Sequence, residues 1–294
     1  MLKIIALHIV LNAVSINDAH WLLDTAHNAG FNTVIVQLMN IKEVNGNLSA
    51  IPNGWTKTEF TEFCKYAQEN GFDVIPELKL LTHQEKFLRR SHPELLYNDY
   101  TYNPDYLNDS GYYSKIFRLI DDIVDVTNAK VFHIGHDELW DPANGNEPLS
   151  ADQFISDVNI VHDYLETKGI LTMMWGDMMI SPREFPTMIT GPLNGIYPGY
   201  GRELLERLPR NMIIGDWHYN DTGSEFPTLK AFKDEGFTVL GASWNNKTNI
   251  RQFASYAKNN GADGMILTTW YLVAQQKWDR LQEIISYAGL KYRD

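Results

Sequence analysis

Two adjacent carboxyl groups, Asp137 and Glu138, follow the run Val131-Phe-His-Ile-Gly-His136. Carboxylates facing one cavity repel, which raises one pKa and keeps one proton near neutrality. An apolar wall such as Trp175 adds to the effect. A carboxyl group that holds its proton at neutral pH is what a glycosidic general acid needs. The plainer reading is a pair of acids at a helix start, settled by the helix dipole. His133 and His136 invite a metal site completed by Asp137. Residues three apart on an extended segment point to opposite faces, so the imidazoles converge only if the chain bends. The first apolar run also carries His8 alone, without a His-x-His pair, so no metal is expected. His83 and His218 read as hydrogen-bonding groups for a substrate or for the carboxylates, or as structural histidines.

Of the eight tryptophans, Trp175, Trp217, Trp244 and Trp270 end short apolar runs, and Trp140 follows the acidic pair. Core tryptophans would scatter over strand and helix faces. Indole rings around one mouth suit a sugar, whose C–H faces pack on flat aromatic surfaces while polar rims take the hydroxyls. The alternative is a set of large packing residues that cap the core.

The elements that must carry these groups are marked by a recurring joint, a helical pattern closed by Gly just before an apolar run. It falls at Gly30, Gly71, Gly169, Gly236 and Gly261. A Gly there supplies the left-handed residue that ends a helix. Thr56-x-x-Glu59 and Ser150-x-x-Gln153 read as capping boxes at helix starts. The spacing predicts strands near 3–9, 33–38, 73–78, 131–135, 170–175, 211–217, 238–243 and 264–269, with helices between and a last one near 276–288. Short, continuously apolar strands are expected where helices cover a parallel sheet. Eight such units in 294 residues point to an α/β fold, a (β/α)8 barrel forming a single domain over residues 1–294. The stretch from about 79 to 110, with Tyr97, Tyr100, Tyr102 and Tyr106, is the longest insertion and is expected to wall the site. No GxGxxG or GxxxxGK[ST] follows any strand, so neither a dinucleotide nor a P-loop nucleotide is expected, and no cofactor is.

The balance of 37 acidic against 25 basic residues, a net charge of −12, argues against a nucleic-acid or anionic-membrane partner. Cys64 alone excludes a disulfide framework and a cysteine zinc site. The N-terminal run Met1–Asn12 has one lysine, is interrupted by His8 and lacks a convincing cleavage site, so it reads as a buried first strand. A cytoplasmic location is expected, although a trimmed leader would leave no trace. A chain this short leaves room for a homo-oligomer to complete the site.

In barrels of this class the chemistry sits where the strands end. A retaining glycosidase with a protein nucleophile needs a second carboxylate ~5–5.5 Å from the acid. Strand seven ends in Ser243-Trp-Asn-Asn246 without one. Asp177 and Asp216 could stand in, but the missing glutamate favours a nucleophile supplied by the substrate.

These residues resemble a known family. His133-Ile-Gly-His-Asp137-Glu138 is similar to the His-x-Gly-x-Asp-Glu signature of glycoside hydrolase family 20, the β-N-acetylhexosaminidases. Val74-Ile-Pro-Glu77 followed by Thr82-His83-Gln84-Glu85 is similar to its third-strand motif. Met174-Trp175-Gly-Asp177, Asp216-Trp217-His218-Tyr219 and Thr268-Thr269-Trp270 resemble its strand ends five, six and eight. The resemblance spans nearly the whole chain, in order, and is strongest to the compact hexosaminidase D-like branch. It implies an exo-acting glycoside hydrolase whose substrate, a terminal 2-acetamido-2-deoxy-β-glycoside, uses its own acetamido oxygen as the nucleophile. On that reading Glu138 is the general acid and base, and Asp137 orients the acetamido group. His83, Trp175, Asp177, Trp217, Tyr219, Trp244 and Trp270 are the expected substrate-binding residues, with Tyr219 donating to the acetamido oxygen.

Departures from the family accompany the likeness. The first strand, Ala6-Leu-His-Ile-Val-Leu-Asn12, lacks the Arg or Asp-x-Lys that grips sugar hydroxyls. Gln37-Leu-Met-Asn40 stands where the related branch carries carboxylates, Tyr271-Leu272 follows Trp270 in place of a Glu or Arg, and position 136 is His where many members have Gly. Retained chemistry with altered sugar specificity is therefore expected. The alternatives are a carbohydrate-binding barrel without catalysis, or a glycosidase with Asp177 or Asp216 as nucleophile.

Overall fold

Alternation along eight parallel strands decides which side chains enter a barrel and which face its helices. The computed structural model describes residues 2–12, 14–139 and 149–294, and of Lys86 only the backbone. Its strands are β1 (Ile4–Val10), β2 (Thr33–Leu38), β3 (Asp73–Leu80), β4 (Val131–Gly135), β5 (Leu171–Trp175), β6 (Ile213–Trp217), β7 (Thr238–Ser243) and β8 (Gly264–Thr268). Each pairs in parallel with the next, and β8 pairs with β1, Ile4 opposite Gly264, to close the barrel. The expected (β/α)8 architecture is the observed one, with strand limits within about two residues of those read from the sequence.

Helices α1 (Ile16–Asn28), α2 (Lys57–Glu69), α3 (Tyr113–Thr127), α4 (Ala151–Thr167), α5 (Tyr200–Arg207), α6 (Pro227–Asp234), α7 (Lys247–Asn259) and α8 (Trp278–Arg293) surround the barrel. Both expected capping boxes form, at Thr56 with Glu59 and at Ser150 with Gln153. The outward residues of the strands, such as Leu7, Val34, Phe132 and Ile214, form the main core against these helices. The inward residues are Ala6, Ile35, Ile75, Met173, Ile213, Leu240 and Ile266 at the bottom. One layer higher stand polar groups, His8, Gln37, Glu77, His133 and Thr268, all buried. Among the described residues, no helix is long and apolar enough to cross a membrane.

Two excursions depart from a plain alternation of strand and helix. After β2 a hairpin pairs Ile41–Val44 with Asn47–Ala50. Asn45 and Gly46 at its tip have φ of 52° and 78°, as a type I′ turn requires. The expected insertion after β3 holds short helical turns and a small hairpin pairing Leu96–Asn98 with Thr101–Tyr102.

Candidate active site

Because side chains two residues apart on a strand share a face, the inward set continues upward from the polar layer. Lys79 follows Glu77, Trp217 follows Gly215, and Trp270 lies two residues beyond Thr268. Trp175 ends β5 directly above Met173 and is buried, while Trp244 stands just past β7. These four indoles line a cavity of about 570 Å³ at the C-terminal mouth of the barrel, together with Lys79, His83, Asp137, Glu138, Tyr219 and Tyr271. Trp140 lies outside the described residues. By contrast Trp55 is a core residue whose Nε1–H donates to the Val14 carbonyl, and Trp21 packs edge-on against Trp278 between helices.

The acidic pair is aimed by an unusual backbone. Gly135, His136 and Glu138 have φ of 78°, 65° and 54°. A Cβ at Gly135 would lie 3.1 Å from the Leu78 carbonyl oxygen and 3.2 Å from Lys79 Cα, so β4 can approach β3 there only with glycine. At this point the register between the strands slips, with Glu77 opposite His133 but Leu80 opposite Gly135. The turn is anchored on the outer side by His136, whose Nε2 lies 2.7 Å from Asp157 Oδ2 on α4. Asp157 also accepts from the hydroxyls of Tyr102 and Tyr113. His133 points the other way, into the barrel, 4.7 Å from the Trp175 ring centre. The chain thus does bend between the two histidines, yet their imidazoles stay on opposite sides of β4.

Beneath the cavity, Glu77 is fully buried and multiply held. His8 Nε2 lies 2.8 Å from Oε2, while Trp175 Nε1–H donates to Oε1 at 3.2 Å and Lys79 Nζ is 3.3 Å from the same oxygen. Burial opposes its ionisation, but Lys79 and the histidines outweigh that and hold the carboxyl group well below the usual range. Burial also lowers His133, to about 4, so this imidazole is neutral at pH 7.

Lys79 Nζ donates to both oxygens of Asp137, at 2.9 and 2.7 Å. His83 Nε2 sits 3.3 Å from Asp137 Oδ2 and 3.6 Å from Glu138 Oε2. The two carboxyl groups diverge in consequence. Although burial works against it, Asp137 is held far below the carboxylate range by Lys79 and then His83. Burial, followed by the neighbouring Asp137 charge, pushes Glu138 up. A third of the Glu138 side chain, 33%, stays exposed to the cavity against 9% of Asp137's. Of the pair, Glu138 is therefore the one whose surroundings favour the protonated form, as a group that hands a proton to a bound ligand requires.

His83, Asp137 and Glu138 bring ligand atoms within 4.8 Å of one another. The Lys79 ammonium, 2.7 Å from Asp137 Oδ2, already neutralises the most charged of these groups and would repel a cation. His162, Asp163 and Glu166 form a similar group on α4, remote from the cavity.

Asp177, expected to touch substrate or to act as nucleophile, lies behind the acid pair and does not line the cavity. Its buried Oδ2 accepts the Glu138 backbone N–H at 2.8 Å and the Asn194 amide at 2.7 Å. Asp216, the other candidate nucleophile, is likewise buried away from the cavity, where it accepts from Thr228 Oγ1 at 2.9 Å. His218 pairs with Asp216 at 3.1 Å and with Asp221 at 3.3 Å. It is a structural group, outside the reach of a substrate. The remaining expected binding residues, His83, Trp175, Trp217, Tyr219, Trp244 and Trp270, all face the cavity. The Tyr219 hydroxyl and Trp244 Nε1 are buried and have no hydrogen-bond partner among the described residues. Buried donors left in that state are ready for a ligand's acceptors.

Sequence reasoning did not single out Lys79, and it named Glu77 and His8 only within their strands and not as site residues. Period-two alternation was the available signal, because it places 77 and 79 on the inner face of β3 below the acid pair. On the arc formed by β1 and β2 the cavity wall is Val10, Leu38, Met39 and Ile41, an uncharged surface that accords with the departures noted in the sequence.

The fold has counterparts among solved structures. Dispersin B superposes with a TM-score of 0.63 at 17% identity, covering 99% of this chain and 98% of that one. The β-N-acetylhexosaminidase of Bacteroides fragilis NCTC 9343 gives 0.67 at 15%, covering 99% and 66%. An exo β-N-acetylglucosaminidase from Vibrio harveyi, solved with N-acetylglucosamine, gives 0.65 at 13%, covering 98% and 54%. At these identities the likeness speaks for the fold alone. Among curated proteins, none matches the chain in sequence. The family model for the catalytic domain of glycosyl hydrolase family 20 matches residues 3–280, and the chain belongs to that family.

Proposed function

We propose that this glycoside hydrolase is an exo-acting β-N-acetylhexosaminidase that cleaves terminal 2-acetamido-2-deoxy-β-glycosides with retention, the substrate's acetamido oxygen serving as nucleophile. The observation that carries the reading is the acid pair in an indole-walled cavity, with Asp137 held low by Lys79 and His83 and Glu138 raised by burial and the Asp137 charge. Among the described residues the one further carboxylate lining that cavity is Glu85, from the loop after β3 and not from a strand end.

The steps follow from the placement. The acetamido carbonyl oxygen attacks the anomeric carbon as the bond to the leaving oxygen breaks, and Glu138 transfers its proton to that oxygen. Asp137 accepts the acetamido N–H and stabilises the positive charge that spreads into the oxazolinium ring. Water then attacks the anomeric carbon, gives a proton to Glu138 and reopens the ring. Trp175, Trp217 and Trp270 wall the acetamido group and the sugar face, and the Tyr219 hydroxyl, which faces the cavity, donates to the acetamido oxygen. His83, between the two carboxyl groups, follows their change of charge.

The uncharged β1–β2 arc favours a second reading, a barrel that binds such sugars without cleaving them. Release of 4-nitrophenol from the aryl 2-acetamido-2-deoxy-β-glucoside and β-galactoside separates the two. Turnover that collapses in Glu138→Gln supports the hydrolase. Binding without turnover, unchanged in Glu138→Gln, supports the alternative.

A further inference from the structure

The Asp137–Glu138 pair sets a problem that its own sequence does not solve. Adjacent carboxyl groups over one cavity would share a single proton, and a shared proton serves neither role. Something must break the symmetry.

We propose that Lys79 is the positioning residue that assigns this proton, clamping Asp137 through both oxygens so that Asp137 stays ionised and aimed while Glu138 keeps the proton. The inference rests on the hexosaminidase reading above and adds to it a residue outside the acid pair.

Each element packed around Asp137 presents a group to it, and these groups differ in how far they discriminate between the two carboxyls. From the loop after β3, His83 reaches both carboxyl groups, at 3.3 and 3.6 Å, and adds to the pull on Asp137, second to Lys79, while also drawing on Glu138. From beyond β5, Asp177 lies against the Glu138 backbone, and burial with the Asp137 charge raises it to about 7, so it brings no positive charge to either member of the pair. From β4, His133 is buried and neutral at pH 7, and its Nδ1 accepts the Gly135 N–H at 3.0 Å. From beyond β6, Tyr219 offers an uncharged hydroxyl. On β3 itself Glu77 is a carboxylate that contacts the lysine and neither member of the pair.

That leaves Lys79, which contacts Asp137 at 2.7 and 2.9 Å and makes no such contact with Glu138. Its side chain is only 11% exposed, and its ammonium also lies 5.6 Å from the Trp270 ring centre. Burial would favour a neutral amine, but Asp137 and Glu77 outweigh it and hold the charge on. The clamp is preformed: Glu77 fixes the lysine from below, and the close passage of Gly135 over Lys79 Cα fixes the distance between β3 and β4. A carboxylate retains about four acceptor sites, so Asp137 can take an acetamido N–H as well as the two lysine bonds.

Two readouts test the assignment, one of them independent of turnover. The first is a 13C NMR titration of the Asp137 carboxyl group in the wild-type chain, in Lys79→Met and in Lys79→Arg. The second is the pH profile of aryl-glycoside hydrolysis by the same three proteins. In Lys79→Met, the Asp137 titration and the acidic limb of kcat should both move upward, by about one to three pH units. The same variant should lose about 100-fold in kcat, with KM changed by less than about threefold. Lys79→Arg should restore both the titration and the limb. An Asp137 titration unmoved in a folded Lys79→Met, or an acidic limb that stays in place in an active one, overturns the proposal. Should the wild type show no turnover while Asp137 still titrates upward in Lys79→Met, the hexosaminidase reading fails and the electrostatic assignment stands.

Discussion

The backbone N–H of Glu138 donates to Asp177 Oδ2 at 2.8 Å, so a carboxyl group behind the site fixes the turn that presents the acid. Glu138 has a left-handed φ of 54°, a conformation that costs a non-glycine residue about 1–2 kcal/mol and persists only where neighbours over-determine it. Asp177 and Asn194 supply that constraint. Asp177 thus acts on the acid from behind.

Exchange at this position separates support from nucleophilic attack. Asp177→Asn keeps an acceptor for the Glu138 N–H and should retain kcat within about tenfold. Asp177→Ala removes the acceptor and should lose more, about 100-fold, through misplacement of the acid. Were Asp177 the nucleophile, both changes would cost ten-thousand-fold or more, about the loss seen when a covalent nucleophile is deleted. Steady-state kinetics on an aryl glycoside decides between these patterns.

The same buried carboxyl group shapes stability against pH. Burial, then the Asp137 charge, raises Asp177 to about 7. An acid whose folded pKa exceeds its unfolded value of ~3.9 contributes stability that is complete at low pH and lost as pH rises through about 7. His218 adds a second, higher window. Although burial opposes protonation, Asp216 and Asp221 raise it to about 9, so its contribution is present below ~6.5 and fades as pH rises through 9. Urea midpoints measured from pH 5 to 9 should therefore fall. Asp177→Asn should flatten the lower part of that decline and His218→Gln the upper part. Curves parallel to wild type in both variants would contradict these assignments.

A glycine tests the aromatic wall. A Cβ on Gly215 would lie 2.7 Å from Trp175 Cε3, and the Trp175 ring is pinned from below by its bond to Glu77. Gly215→Ala should therefore push the indole off its seat, costing about 1–3 kcal/mol of stability as overpacked cores do. KM should rise several-fold on the same substrate, with far-UV circular dichroism unchanged. An unaltered KM would show that the Trp175 ring does not shape the bound sugar.

The barrel was legible because each signal was local: the helix-closing glycines, the two capping boxes and the short apolar runs lie within a few residues of what they specify. The four cavity tryptophans were legible for the same reason, since each ends a strand or follows one within two residues. The hairpin at 41–50 was overlooked although Asn45-Gly46 is a strong turn signal. Its buried face, Ile41, Leu48 and Ala50, includes the charged Glu43, and Val44 lies on the exposed face, so the alternation is blurred in the sequence. Lys79 escaped for a different reason. A lysine at a strand end reads as solvated, and only its closure on Asp137, 58 residues later, makes it part of the site. Asp177 was placed correctly at a strand end, but one residue of phase decides whether such a side chain enters the barrel mouth or turns behind it.

Participation of the acetamido group is the central claim, and its nucleophilicity can be varied without touching the protein. Aryl β-glycosides carrying N-acetyl, N-fluoroacetyl, N-difluoroacetyl and N-trifluoroacetyl groups present a progressively poorer carbonyl nucleophile of nearly constant shape. The account predicts that kcat/KM falls steeply and monotonically along this series, by orders of magnitude from first to last. A flat series, accompanied by covalent trapping of the protein with a 2-fluoro glycoside, would contradict it.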